Sequence, residues 1–225
     1  MHQVFVSWSG GKDSSLACYR AVQNGLKVRY LLNMINEDGK RSRSHGLYID
    51  TLQLQSQALD FPLVQRRASW DDYEAEFKKA LQEFKEKGID GGIFGDIELE
   101  EHRQWVERVC QETGITPYLP LWGLPQDKIV RDFIDLGFEA IVVTTRADIL
   151  GEEWLGRKID RDFLKQIDEM GKIKGVTPCG EAGEYHTFVV DGPLFKKRIV
   201  TLENKNTFIN GYWFLEISKS ELKTK

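Results

Sequence analysis

Two short stretches hold residue types that can do chemistry. The first is Ser9-Gly10-Gly11-Lys12-Asp13-Ser14. It follows an apolar run, Val4-Phe5-Val6-Ser7-Trp8, and opens a helix-like run from Ser14 to Val22. Strand, glycine turn and helix start form the context of a phosphate cradle. Two glycines reach backbone angles closed to other residues, so successive N–H groups can converge on an anion. The start of the helix adds unpaired N–H groups and the positive end of its dipole. Lys12 supplies a mobile positive charge, and Ser9 and Ser14 supply hydroxyl donors. The plain alternative is a glycine turn capped by Asp13 or Ser14. The spacing is not the G-x-x-x-x-G-K-[ST] phosphate loop, because Lys12 directly follows the glycine pair.

The second stretch is Cys179-Gly180-Glu181-Ala182-Gly183-Glu184-Tyr185-His186-Thr187. Two carboxylates, a tyrosine, a histidine and a threonine fall within nine residues. Such a loop can bring acceptors and a proton shuttle to one place. From the residues alone it reads equally as a glycine turn with surface acids before a strand.

The order of elements must position these groups. Apolar runs at 4–8, 28–34, 63–66, 91–95 and 116–119 alternate with helical patterns over 14–22, 50–59, 73–87 and about 102–113. Asp71 or Asp72 is an expected cap for the third helix. Strand–helix alternation predicts right-handed crossovers and a parallel sheet, with ligands beyond the carboxyl ends of its strands. The glycine loop, the polar loop Ser42-Arg43-Ser44-His45-Gly46, and Gly95-Asp96 all follow strands. After an irregular link, Leu121 to Pro125, come a helix over 127–136, a strand over 140–144 and a helix capped by Asp160. Three β segments follow at 187–190, 198–202 and 212–217. The expected division is residues 1–122 as the nucleotide-binding domain and 123–225 as a smaller C-terminal α+β domain.

Composition narrows the function. The chain has 225 residues, 41% of them hydrophobic, with a net charge of -4, so a large core can be buried. No basic stripe marks a dedicated nucleic-acid surface, and no apolar run is long enough for a membrane span. The start, Met1-His2-Gln3-Val4, lacks a basic n-region, so no signal peptide is expected. Cys18, Cys110 and Cys179 are far apart, giving neither a metal pair nor an even disulfide set. A cytoplasmic location follows as the expectation. Trp105, Trp154 and Trp213 are expected in the core rather than as stacking platforms.

The first loop resembles the SGGxDS loop of the N-type ATP pyrophosphatases. Taken with Leu155-Gly156-Arg157, Gly180 to Thr187 and Asp191-Gly192-Pro193-Leu194-Phe195, the whole chain is similar to the diphthine–ammonia ligase family. That resemblance implies an α/β fold with a parallel-sheet adenine nucleotide α-hydrolase-like domain. It implies an enzyme that adenylates a substrate carboxylate with ATP, releasing pyrophosphate, and condenses it with ammonia. ATP would lie on Ser9, Gly10, Gly11, Lys12, Asp13 and Ser14, with Met34, His45, Gly95 and Asp96 completing the nucleotide site. Asp13 would hold Mg²⁺, and Lys12 would stabilise the departing pyrophosphate. Glu184 or His186 would orient or deprotonate ammonium. Glu181, Gly183, Tyr185 and Thr187 would shape the acceptor pocket. The acceptor would be diphthine on elongation factor two or a small carboxylate. His186 stands where the resemblance leads one to expect glutamate, and Phe94-Gly95-Asp96-Ile97 is similar to a bacterial branch linked to cobalamin salvage. A thiolation enzyme of the same loop class and a non-catalytic ATP sensor are the rival readings. The sequence leaves room for a homodimer without fixing the oligomeric state.

Overall fold

A computed structural model describes residues 2–43 and 45–225; Met1, and Ser44 of the expected polar loop, lie outside the described residues. Along the chain the first elements are β1 (Gln3–Ser7), α1 (Lys12–Gln23), β2 (Lys27–Ile35), α2 (Ile49–Leu59), β3 (Leu63–Arg67) and α3 (Tyr73–Glu86). Then come β4 (Gly91–Ile93), α4 (Glu100–Thr113), β5 (Thr116–Tyr118), α5 (Gln126–Asp135) and β6 (Glu139–Arg146). The chain closes with α6 (Arg161–Lys174), β7 (Tyr185–Asp191), β8 (Lys197–Ile209) and β9 (Tyr212–Thr224). It divides into two compact units.

The first unit holds residues 2–9, 13–43 and 60–123. Its sheet is five-stranded and parallel, in the order β3-β2-β1-β4-β5. β1 is central, and Val4, Phe5 and Val6 are fully buried, as a strand covered on both faces should be. Phe5 stacks on Phe84 at 5.2 Å and meets Phe94 edge-on at 5.9 Å. The glycines of β4 make room for this, since a Cβ on Gly92 would stand 2.6 Å from the Phe5 ring. The strand is three residues long, shorter than the 91–95 expected, although the Phe94 N–H still donates to the Tyr118 carbonyl at 2.9 Å. The expected cap of α3 is corrected. The Asp72 carboxylate accepts from the Ser69 hydroxyl at 2.6 Å, and no side-chain cap bonds the helix. Trp105 is half-buried, its indole N–H given to Glu74 at 2.9 Å.

The second unit holds residues 10–12, 45–59 and 124–225. Its sheet is antiparallel, in the order β7-β6-β9-β8. Asp160 caps α6 as expected, accepting from the Phe163 N–H at 2.8 Å. Strands β8 and β9 each run to 13 residues, well beyond the five and six expected. The residues beyond those expected, 203–209 and 218–224, are mostly polar, and their few apolar side chains are not at a regular spacing, so apolar patterning does not mark them. Asn210 and Gly211 both have positive φ, at 49° and 84°, the two-residue turn that matches strand twist. No helix among the described residues is long and apolar enough to cross a membrane.

Candidate functional site

In the first unit the end of β1 is held by backbone and amide bonds. The Trp8 N–H donates to the Leu32 carbonyl at 2.7 Å, and the Asn33 side-chain amide donates to the Trp8 carbonyl at 2.7 Å. Beyond it, the hydroxyls of Ser9 and Ser14 lie 3.1 Å apart. Asp13 stands in the first turn of α1, followed by the buried Ser14 and Ser15. Gly95 earns its place by contact: a Cβ there would lie 2.9 Å from the Ser14 nitrogen and 3.0 Å from the Asp13 carbonyl carbon. Only a glycine lets the end of β4 approach the helix start this closely. Asp96 lies 3.4 Å from the His102 ring nitrogen. Met34 is buried in the core cluster that includes Phe5 and Phe94, so its backbone is what it can offer a nucleotide.

In the second unit, Gly10 to Lys12 are built onto β7. The Gly10 carbonyl accepts from the Val189 N–H at 3.0 Å and from the Gln55 amide at 2.9 Å. Gln55 also donates to the Val189 carbonyl at 2.7 Å. The Lys12 N–H donates to the Thr187 hydroxyl at 3.0 Å. Both glycines are forced by this docking. Gly10 has φ +85°, and a Cβ on it would stand 2.6 Å from Leu52; a Cβ on Gly11 would run into His45. The Lys12 side chain was expected to be mobile. It is instead buried, with its ammonium donating to the Cys179 carbonyl and lying 5.3 Å from the Tyr185 ring centre. Burial of a charge this deep needs such partners.

The second loop is braced from within. Thr177 gives its N–H to Glu184 Oε1 at 2.7 Å, and its hydroxyl accepts from the Glu181 N–H at 2.8 Å. Gly180 turns at φ +75°, where a Cβ would stand 2.6 Å from the Tyr185 carbonyl oxygen. Gly183 turns at φ +77°. Glu184 is 1% exposed, and its second oxygen, Oε2, is buried without a hydrogen-bond partner among the described residues. A buried carboxylate oxygen left this way is costly and able to receive an N–H donor. The Tyr185 hydroxyl donates to the Pro178 carbonyl at 2.5 Å, and its ring meets Phe163 edge-on at 5.4 Å. Tyr185 therefore packs the loop against α6.

His186 stacks on His45 with ring centres 4.6 Å apart. Burial, then the charge of Lys12, pushes the His186 pKa down to about 4. Burial, His186 and Lys12 also hold His45 well below the usual histidine value, against the opposing Thr187 carbonyl. Both imidazoles are neutral at pH 7. With Nδ1–H of His45 given to the Thr187 carbonyl at 2.9 Å, its Nε2 keeps a lone pair for accepting. Lys12, His45, Glu184, His186 and Thr187 thus form one constellation. No group of three metal-ligating side chains occurs among the described residues. Asn33, Gln55 and Thr177 were missed from the sequence. Gln55 left a signal: it shares the buried side of α2 with Leu52, Ala58 and Leu59, a polar residue at an apolar spacing.

The family model described as diphthamide synthase N-terminal domain matches residues 2–117, and that of the diphthamide synthase C-terminal domain matches residues 125–222. The chain belongs to the diphthamide synthase family. A diphthine–ammonia ligase of Rattus norvegicus is 31% identical over 221 residues, covering 85% of this chain and 80% of that protein. A diphthine–ammonia ligase of Schizosaccharomyces pombe is 29% identical over 216 residues, covering 88% of this chain. The chain spans 36% of that yeast protein's length. A solved structure described as a predicted subunit of a tRNA methyltransferase from Methanocaldococcus jannaschii covers 86% of this chain and 98% of its own. Its TM-score is 0.46 at 15% identity. In this diphthamide synthase family member, both the glycine loop and the Gly180–Thr187 loop fall inside the matched regions.

Proposed function

We propose that the chain is an ATP-dependent ligase that joins a substrate carboxylate to ammonia, with AMP and pyrophosphate as products. The observation that carries this reading is that the two diphthamide synthase models together cover both halves of the chain. The relatives named diphthine–ammonia ligase support diphthine as the acceptor. Docking of Gly10–Lys12 on Thr187–Val189 gives the reading a physical basis: the loop that takes the phosphates shares hydrogen bonds with the strand that follows the acidic loop.

The roles follow from the chemistry of each group. Ser9, Ser14 and the backbone of the loop hold the phosphates, and the N-terminal end of α1 favours their charge. The Asp13 carboxylate and these hydroxyls are hard oxygen donors, which fit Mg²⁺. Bound there, the metal would offset charge on the pyrophosphate. Lys12 adds a fixed positive charge at the same loop. The substrate carboxylate attacks the α phosphorus, and pyrophosphate leaves. Ammonia then attacks the acyl carbon of the adenylate, and AMP leaves. Glu184 Oε2 and neutral His186 accept N–H groups of incoming ammonium and orient it, and its proton is lost to solvent. Cys18, Cys110 and Cys179 are all buried thiols, and we place the protein in a reducing cytoplasm.

The test is product analysis with ATP, Mg²⁺, ammonium and elongation factor two bearing diphthine. Equal amounts of AMP, pyrophosphate and amide are expected. ADP and phosphate would refute the reading.

A further inference from the structure

The β8–β9 ribbon continues past the rest of its sheet. β8 is the terminal strand, with β9 its one neighbour, and β9 pairs with β6 only over Tyr212 to Phe214. From Leu202 to Asn206 every residue of β8 is exposed. Phe208 and Ile209 near its end are 53% and 44% exposed. A long open edge carrying apolar side chains is a template for another strand.

The sequence of β8 says which strand. About Asn204 it carries opposite charges at equal distances, Glu203 and Lys205. Leu202 and Asn206, two residues out, do not match, while Thr201 and Thr207 lie three residues out, Val200 and Phe208 four, and Ile199 and Ile209 five. Two identical antiparallel strands related by a twofold axis place residue i against j, and j against i. With the axis at Asn204, Glu203 faces Lys205 of the second copy, and the reciprocal pair forms on the other side. An axis at Glu203 would set two glutamates together, and an axis at Lys205 two lysines. Charge therefore disfavours both of those neighbouring registers and favours the one about Asn204.

We propose that β8 is a homodimer interface, pairing antiparallel with β8 of a second copy about Asn204. The β8–β9 ladder shifts register on both sides of Glu203, which twists the strand there. The pairing concentrates at Glu203–Lys205, and Phe208 and Ile209 extend the exposed edge on the side away from the irregularity. Glu203 lies 3.6 Å from Lys219 within its own ribbon, both well exposed, a contact too weak to hold it back. The inference is independent of the ligase reading, which uses no ribbon residue.

The test measures mass against concentration for the full chain by sedimentation. The parent chain forms a concentration-dependent dimer. Glu203→Lys and Lys205→Glu each turn two attractive pairs into repulsive ones and raise the dissociation constant at least about tenfold. Both keep the unfolding profile of the parent, since both positions are exposed. Mixing E203K with K205E restores association, because each charge then meets its opposite, and so does the double variant. A parent chain that stays monomeric overturns the proposal. So do single variants that dimerise as before, or a mixture that stays monomeric.

Discussion

Thr187 tests how the glycine loop is held. Its hydroxyl accepts the Lys12 N–H at 3.0 Å, and both residues are buried. Thr187→Val keeps the shape of the side chain and removes the acceptor. A buried donor that loses its partner costs about 1–3 kcal/mol. In a chain of this size each kcal/mol lowers Tm by about 2–4 °C, so a loss near the middle of that range lowers it by about 4–8 °C. The loop is not released altogether, because the Gly10 carbonyl keeps its bonds from Val189 and Gln55. The KM for ATP therefore rises more than kcat falls. Thr187→Ser keeps the hydroxyl and stays close to the parent. Thermal unfolding with and without ATP, together with initial rates of pyrophosphate release, reads both effects. If T187V matches the parent in Tm and KM, the hydrogen bond does not hold the loop. If T187S is impaired as much as T187V, the methyl group matters rather than the hydroxyl.

Three further outcomes follow from the site. Gly95→Ala pushes a methyl group against the backbone of Asp13 and Ser14; it costs about 1–3 kcal/mol and weakens ATP binding, as calorimetry would show. His186 has a folded pKa near 4 against an ordinary 6.5, so the unfolded chain binds the extra proton between those values. Stability from this group is complete above about pH 6.5 and is lost as pH falls toward 4. His186→Gln should flatten the Tm–pH curve most visibly between about pH 6.5 and 5, before most carboxylates titrate; an unchanged curve refutes the assignment. Glu184→Gln keeps an acceptor for the Thr177 N–H and should spare the fold and ATP binding while stopping amide formation, whereas Glu184→Ala also loosens the loop. Amide yield set against ATP affinity separates the two.

Much of the fold was legible in the sequence. The alternation of apolar runs with helical spacing gave the parallel sheet, and Asp160 marked the start of α6. What failed has physical reasons. The outer halves of β8 and β9 carry no apolar period, because that ribbon is exposed, and only Asn210-Gly211 betrayed it. Asp72 looked like a cap but bonds Ser69, a local competition that composition cannot resolve. In the site, residue types pointed to Ser9–Ser14 and Gly180–Thr187, but not to how they are held. The glycine pair looked like an anion nest. Its tight fit against Leu52 and His45 shows a second demand on the same residues. Lys12 looked mobile, because the carbonyl that holds it, on Cys179, lies 167 residues away in the chain. Asn33 and Gln55 brace backbone, and such roles leave only a polar residue at an apolar position as their trace.

The central claim is that the chain couples cleavage of ATP at the α phosphorus to amide formation. The most direct measurement follows ATP products and amide together while ammonium is varied, with diphthine-bearing elongation factor two as acceptor. The account predicts AMP and pyrophosphate in equal amounts with the amide, all absent for Lys12→Ala. ADP and phosphate as products, or AMP release with no amide at any ammonium concentration, would contradict it.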